Sequence, residues 1–126
     1  MPAYSNAFSP LSIIRGESAQ VLNENGVSTA LPYSSSRVAL LPGAGIHAQR
    51  LSAEVSFSGA PGAFSFQVQT ADTDDTAHYV NEGSAVSAVN ASNVARLELN
   101  SVVAKFARIT FTALANNVTV TATLSV

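Results

Sequence analysis

Residues 51–70 read "LSAEVSFSGAPGAFSFQVQT", and this stretch decides the fold class. Leu51, Ala53, Val55 and Phe57 alternate with Ser52, Glu54, Ser56 and Ser58, and Phe64, Phe66 and Val68 then alternate with Ser65, Gln67 and Gln69. A period of two sends one set to a buried face and the other to solvent, the pattern of a half-buried β-strand. The intervening "GAPG" at 59–62 supplies turn residues, so a β-hairpin is expected here.

The same alternation recurs outward from this stretch. "VTVTATLSV" at 118–126 sets Val118, Val120, Ala122, Leu124 and Val126 against Thr119, Thr121, Thr123 and Ser125, with no charge among them. Exposed edge strands normally carry charge, proline or a bulge. This strand is therefore expected either inside a sandwich or paired across a subunit boundary, and Val118 and Val120 become candidate partner-binding residues. "AKFARITFTAL" at 104–114 places Ala107, Ile109 and Phe111 on one face and Phe106, Arg108, Thr110 and Thr112 on the other. "ARLELN" at 95–100 does the same with Ala95, Leu97 and Leu99 against Arg96 and Glu98. Shorter β-like runs are "LSIIR" (11–15), "AQVLN" (19–23), "VSTAL" (27–31), "RVALLP" (37–42) and "SAVSAVN" (84–90), with Asn25–Gly26 and Asn116–Asn117 as turns. Helical periodicity is strongest over 85–97, where Asn90, Ser92 and Asn93 break it, since such side chains compete for the backbone.

Short strands at intervals of about 8–12 residues specify a sandwich or barrel. The expected fold is all-β: one antiparallel β-sandwich over 11–126, whose strand order the spacing leaves open between jelly-roll-like and immunoglobulin-like. The expected core is Leu51, Val55, Phe57, Phe64, Phe66, Val68, Leu97, Leu99, Ile109, Phe111, Val120 and Leu124. Residues 1–10 read as an extended arm between Pro2 and Pro10, with Tyr4 and Phe8 available for docking onto a partner.

Composition narrows the function. At 126 residues the chain is one domain and can bury a core without metal or disulfide. It has no cysteine, which excludes thiolate metal sites and disulfide frameworks. A net charge of −2 with scattered basic residues gives no steering field for nucleic acid or anionic membrane. Charged residues make up 11% of the chain, against a usual value of about 25%; Ser, Thr and Asn supply the polar surface instead. Such a surface suits a protein that lives against other proteins. The first residues lack the basic and apolar regions of a secretory signal, so synthesis in a cytoplasm is expected.

Motifs that could carry chemistry are sparse. Gly43, Gly45 and Ala48 match G-x-G-x-x-A, but a dinucleotide site needs a helix N-terminus behind the glycines, and a strand-like run follows instead. Asp72, Asp74 and Asp75 are weak candidates for a calcium site. An EF-hand loop counted from Asp72 would need glycine and glutamate where Ala77 and Gly83 stand, so a solvated acidic loop with Asx-turns is the simpler reading. His47 and His78 lack further zinc ligands at defined spacing. No G-x-S-x-G elbow is present and the glutamates are dispersed. The tripeptides at 90–92 and 117–119 fit the glycosylation pattern by chance. The phenylalanines, without a basic groove, read as core. No cofactor and no enzymatic activity are expected.

"VSFSGAPGAFSFQVQTADTDDTAHYV" (55–80) and "NVARLELNSVVAKFARITFTALANNVTVTATLSV" (93–126) together resemble small virion-associated proteins of tailed bacteriophages, over residues 51–126. The resemblance carries no catalytic motif. It implies a non-enzymatic structural virion protein of the capsid decoration (cement) type, a jelly-roll-like β-sandwich, with the immunoglobulin-like order as the alternative, seated as a trimer or dimer on the major capsid protein or other virion subunits. Its localisation would be the virion, after synthesis in the host bacterial cytoplasm. A neck, tail or fibre-associated virion protein is the alternative in the same setting. A calcium-dependent carbohydrate-binding sandwich is the alternative of another class, although there is no Trp and Tyr4, Tyr33 and Tyr79 are far apart in sequence.

Overall fold

The computed structural model describes residues 11–40 and 48–126. The arm with Tyr4 and Phe8, and the segment 41–47 with Gly43, Gly45 and His47, lie outside the described residues. Among the described residues ten strands run in chain order: β1 (Leu11–Ile13), β2 (Ser18–Asn25), β3 (Tyr33–Ser34), β4 (Val38–Leu40), β5 (Gln49–Phe57), β6 (Phe64–Ala71), β7 (Val80–Val86), β8 (Val94–Val102), β9 (Phe106–Leu114) and β10 (Thr119–Ser125). They form two sheets. One has the order β2-β10-β5-β8; the other has β1-β4-β9-β6-β7, with β3 beside β9 on the same edge as β4. Every pairing is antiparallel except β1 with β4.

This order is that of a double Greek key, the jelly roll. Consecutive strands keep crossing from one sheet to the other, and only β6–β7 is a local antiparallel neighbour pair. The immunoglobulin-like alternative is overturned by the place of β10. In that fold the last strand lies at a sheet edge, whereas β10 lies between β2 and β5.

The hairpin expected at 51–70 is also corrected. β5 and β6 do not pair; they belong to opposite sheets. Residues 58–63 carry the chain across the roughly 10 Å between packed sheets. Residues 115–118 make the return crossing between β9 and β10 alongside. Asn116 holds the two together, its amide donating to the Pro61 carbonyl (3.1 Å) and its side chain to that of Ala60 (2.9 Å). Gly62 sits at φ +70, and a Cβ there would lie 3.0 Å from Ala115 Cβ; only glycine suits both the torsion and the space. Alternation is right here about burial and wrong about partner. Phe57 and Phe64 do face one core, with ring centroids 5.0 Å apart, but from opposite walls.

The core lies between the sheets. Leu51, Val55, Phe57, Phe64, Phe66, Val68, Ile109, Phe111, Val120 and Leu124 are all buried, as expected, while Leu97 and Leu99 on the edge strand β8 are half-buried. Phe66 and Phe111 meet at 5.4 Å, and Phe57 and Phe111 at 6.1 Å edge-on, so four rings from three strands form the centre.

Three further local expectations change. "VSTAL" is not a strand; Val27–Thr29 is a 3₁₀ turn. It follows Gly26 at φ +109 and sends the chain toward the other sheet instead of closing a hairpin. The strand in "SAVSAVN" begins earlier, at Val80, and ends at Val86. Beyond it the Asn90 side chain accepts from the amides of Ser92 (2.9 Å) and Val94 (3.0 Å), an Asx-turn that leads into β8.

Candidate partner-binding surfaces

The acidic loop folds back over the outer face of the six-stranded sheet. Asp75 opens the 3₁₀ turn Thr76–His78, its carboxylate accepting from the Ala77 amide at 3.2 Å and lying 3.4 Å from His78 Nδ1. Asp74 faces the sheet, where its Oδ1 lies 3.0 Å from Arg37 Nε and accepts from the Tyr79 hydroxyl at 3.1 Å. Arg108 stacks over the Tyr79 ring, with its Cζ 4.2 Å from the centroid. Arg108 Nε donates to Gln69 Oε1 at 2.9 Å, and the Thr110 hydroxyl donates to the same oxygen at 2.9 Å. Ser34 and Thr110 share a hydroxyl contact of 2.8 Å, and Gln69 donates to Asn81 at 3.0 Å.

This network explains an unexpected burial. The face of β9 opposite the core is expected outside, yet Arg108 and Thr110 are buried. Arg108 lies against the Tyr79 ring of the acidic loop and bonds Gln69 through Nε, while the Thr110 hydroxyl is bonded to Gln69 and Ser34 within the sheet, as burial requires. No spacing rule marks Arg37, Gln69, Tyr79 and Arg108 as a group. The available signal is an arginine among threonines on β9 beside a loop rich in carboxylates.

Burial, and then the Asp74 carboxylate, push the Tyr79 phenol well above its ordinary value of 10.0. In the unfolded chain the phenol ionises near that ordinary value; in the folded chain it stays protonated to higher pH. The stabilisation is therefore complete below about pH 10 and is lost as pH rises toward the folded value. Urea midpoints measured between pH 9 and 11 should fall with pH, and Tyr79→Phe should flatten that fall. An unchanged slope in the variant would place the titration elsewhere.

Asp72, Asp74 and Asp75 do not converge. Asp74 is matched to a guanidinium and a phenol, Asp75 to its own turn, and Asp72 is exposed. Among the described residues no group of three or more His, Asp or Glu side chains could hold a metal ion. Millimolar calcium should leave the melting temperature where chelator leaves it; occupancy at 100 times the dissociation constant would stabilise by about 2.7 kcal/mol, a visible shift. A shift abolished by Asp74→Ala would restore the calcium reading.

Val120 is corrected as a partner-binding residue. It is fully buried, and both edges of its strand are taken by β2 and β5. Val118 is half-buried at the crossing before β10, near Gly59. The sugar-platform role is not favoured for Tyr79, whose ring is buried beneath Arg108, and Tyr33 is half-buried in β3.

The outer face of the four-stranded sheet is the broad surface that remains. Thr119, Thr121 and Thr123 of β10 lie beside Ser52 and Ser56 of β5, all half-buried among their neighbours. Beyond them two ion pairs join β5 to β8, Arg96 with Glu54 and Arg50 with Glu98. A hollow of about 560 Å³ opens at one end, lined in part by Arg15, Arg50, Glu98, Asn100 and Ser125. A smaller hollow of about 300 Å³ lies on another side, where the exposed Val80 and Val103 adjoin Asp72, His78 and Glu82. Hydroxyl rows offer hydrogen bonds without a strong field, and paired charges add little net charge. Among the described residues no helix is long and apolar enough to cross a membrane. Comparison with protein-family models, curated proteins and solved structures gives no match.

Proposed function

We propose that this is a non-enzymatic structural protein of a tailed-phage virion, of the capsid decoration type, which lays a sheet face on the major capsid protein and associates with copies of itself as a dimer or trimer. The observation that carries this reading is the hydroxyl-rich, nearly charge-neutral outer face of the four-stranded sheet. That face is built from four strands and is poor in the clustered titratable groups that catalysis uses. The jelly roll supports it as an architecture used by viral capsid domains, and lectins use it too, so the fold alone does not decide function. The resemblance of residues 51–126 to virion-associated proteins points the same way.

Copy number tests the proposal. Quantitative mass spectrometry of virions from the phage encoding the chain should find it in near-stoichiometric proportion to the major capsid protein. A dozen or fewer copies per particle would assign it to the neck, tail or fibre. Absence from purified virions would overturn the reading.

A further inference from the structure

The edge strand β8 carries a self-complementary charge order. On its outward face Arg96 and Glu98 stand two residues apart with opposite sign, and each is already paired within the chain, Arg96 to Glu54 and Glu98 to Arg50. β8 pairs with β5 on one side, and among the described residues no strand pairs with its other side. The backbone on that side is oriented for pairing. The Val94 carbonyl accepts from Asn90 N (2.9 Å) and its amide donates to the Asn90 side chain (3.0 Å), away from β5. In an antiparallel ladder, alternate residues point both groups the same way, so Arg96 and Glu98 present their amides and carbonyls outward as well.

The other sheet edges are poorer templates. β1 has three residues. β7 contains Gly83 at φ +76 and breaks register with β6 between Phe66 and Val68. On β2 the Val21 carbonyl accepts from the Ser36 amide, and the strand's own ladder shifts register at Ala122/Thr123. A bulge or an occupied backbone group blunts an edge; β8 has these faults only at its ends, where Asn90 occupies the backbone groups of Val94 and the ladder shifts beyond Leu99, and over residues 95–99 it is in continuous register with β5.

We propose that two copies of this chain pair antiparallel through β8, about a two-fold axis at Leu97, joining the two four-stranded sheets into one. The register is selected by charge. With Leu97 opposite Leu97 of the second copy, Arg96 lies opposite Glu98 and Glu98 opposite Arg96, in hydrogen-bonded positions. Sliding by two residues either way sets Glu98 against Glu98 or Arg96 against Arg96, and like charges directly opposite are destabilising. Sliding by one puts apolar residues on the solvent face. In the selected register the charges form continuous alternating rows across the axis: Glu54, Arg96, then Glu98 and Arg50 of the second copy. The half-buried Leu97 and Leu99 lose their remaining exposure on the other face. An interface of this kind is isologous, as a two-fold dimer requires. The proposal rests on the self-association in the reading above and on none of its virion content.

Light scattering on the full-length chain should give twice the chain mass of 13.0 kDa. Arg96→Glu and Glu98→Arg should each fold, by circular dichroism, and each weaken the dimer at least about tenfold, because like charges then face each other twice across the axis. Mixing the two variants in equal amounts should restore a heterodimer. The acid introduced by Arg96→Glu then faces the base introduced by Glu98→Arg, and the unaltered Glu98 of the first chain faces the unaltered Arg96 of the second. A merely structural role for either residue gives no such rescue. A wild-type monomer or trimer, single variants that remain dimeric, or a mixture that stays monomeric would each overturn the proposal. A dimer that is absent from virions would leave this inference standing and sink the virion reading.

Discussion

Phe66→Ala should cost about 3–5 kcal/mol of unfolding free energy, read from the shift of a urea transition. The ring has no exposed surface, and it meets Phe64 at 6.3 Å and Phe111 at 5.4 Å. Alanine there leaves a void bounded by two other rings and by strands paired on both sides. Because β6 lies between β9 and β7, the backbone has little freedom to close it, which favours the upper part of the range. Ser65→Ala, one position along and on the opposite face, should change stability by no more than about 0.5 kcal/mol. A Phe66 loss under about 1 kcal/mol would mean that the ring is solvated and the register of β6 is off by one residue.

The second large effect is expected at Val120. It has no exposed surface and lies in register with Phe57 of β5 and Glu24 of β2. Val120→Asp would put a carboxylate into the core with no cation facing it, and the loss should exceed about 5 kcal/mol. That is comparable to the whole stability of an ordinary domain, about 5–15 kcal/mol, so the variant should show no cooperative transition. Thr121→Asp places the same charge on the outer face and should leave the transition within about 1 kcal/mol of wild type. A folded Val120→Asp protein that had lost only its partners would reinstate Val120 as a contact residue.

The contrast between these neighbouring positions shows what the sequence makes legible. Period-two alternation reports which face of a strand is dry, and it does so well: Val55, Phe57, Phe64, Phe66, Ile109, Phe111, Val120 and Leu124 are buried. It carries no information about the neighbouring strand. Phe57 and Phe64 would look the same in one sheet or across two, which is why "GAPG" reads as a hairpin and is an arch. The jelly-roll order depends on pairings such as Thr119 with Asn25, far apart in the chain and unmarked by any local signal.

The surfaces are less legible, for a related reason. Arg108 alternates like a solvent-facing residue, and it would be one if the loop at 72–79 did not lie over it. Alternation assumes that a sheet has one wet face; a loop pinned by Asp74 to Arg37 violates that assumption. The charge order of β8 is visible as Arg96 and Glu98 in "ARLELN". Its meaning depends on β8 being an edge, which is a property of the assembled sheet.

The central seat of β10 also governs how the molecule comes together in time. β2 and β5 have no backbone partner in common until residues 119–125 arrive between them, so early in folding the four-stranded sheet is two unjoined pieces. Such topologies close long loops before they gain contacts, and they fold in milliseconds to seconds, not microseconds. On a ribosome the wait is longer, since residues 119–125 emerge only after every strand before them, at about 5–20 residues per second. During that interval β5 offers an unfilled slot on the side that β10 will occupy. A chaperone would find the protein at its most receptive then.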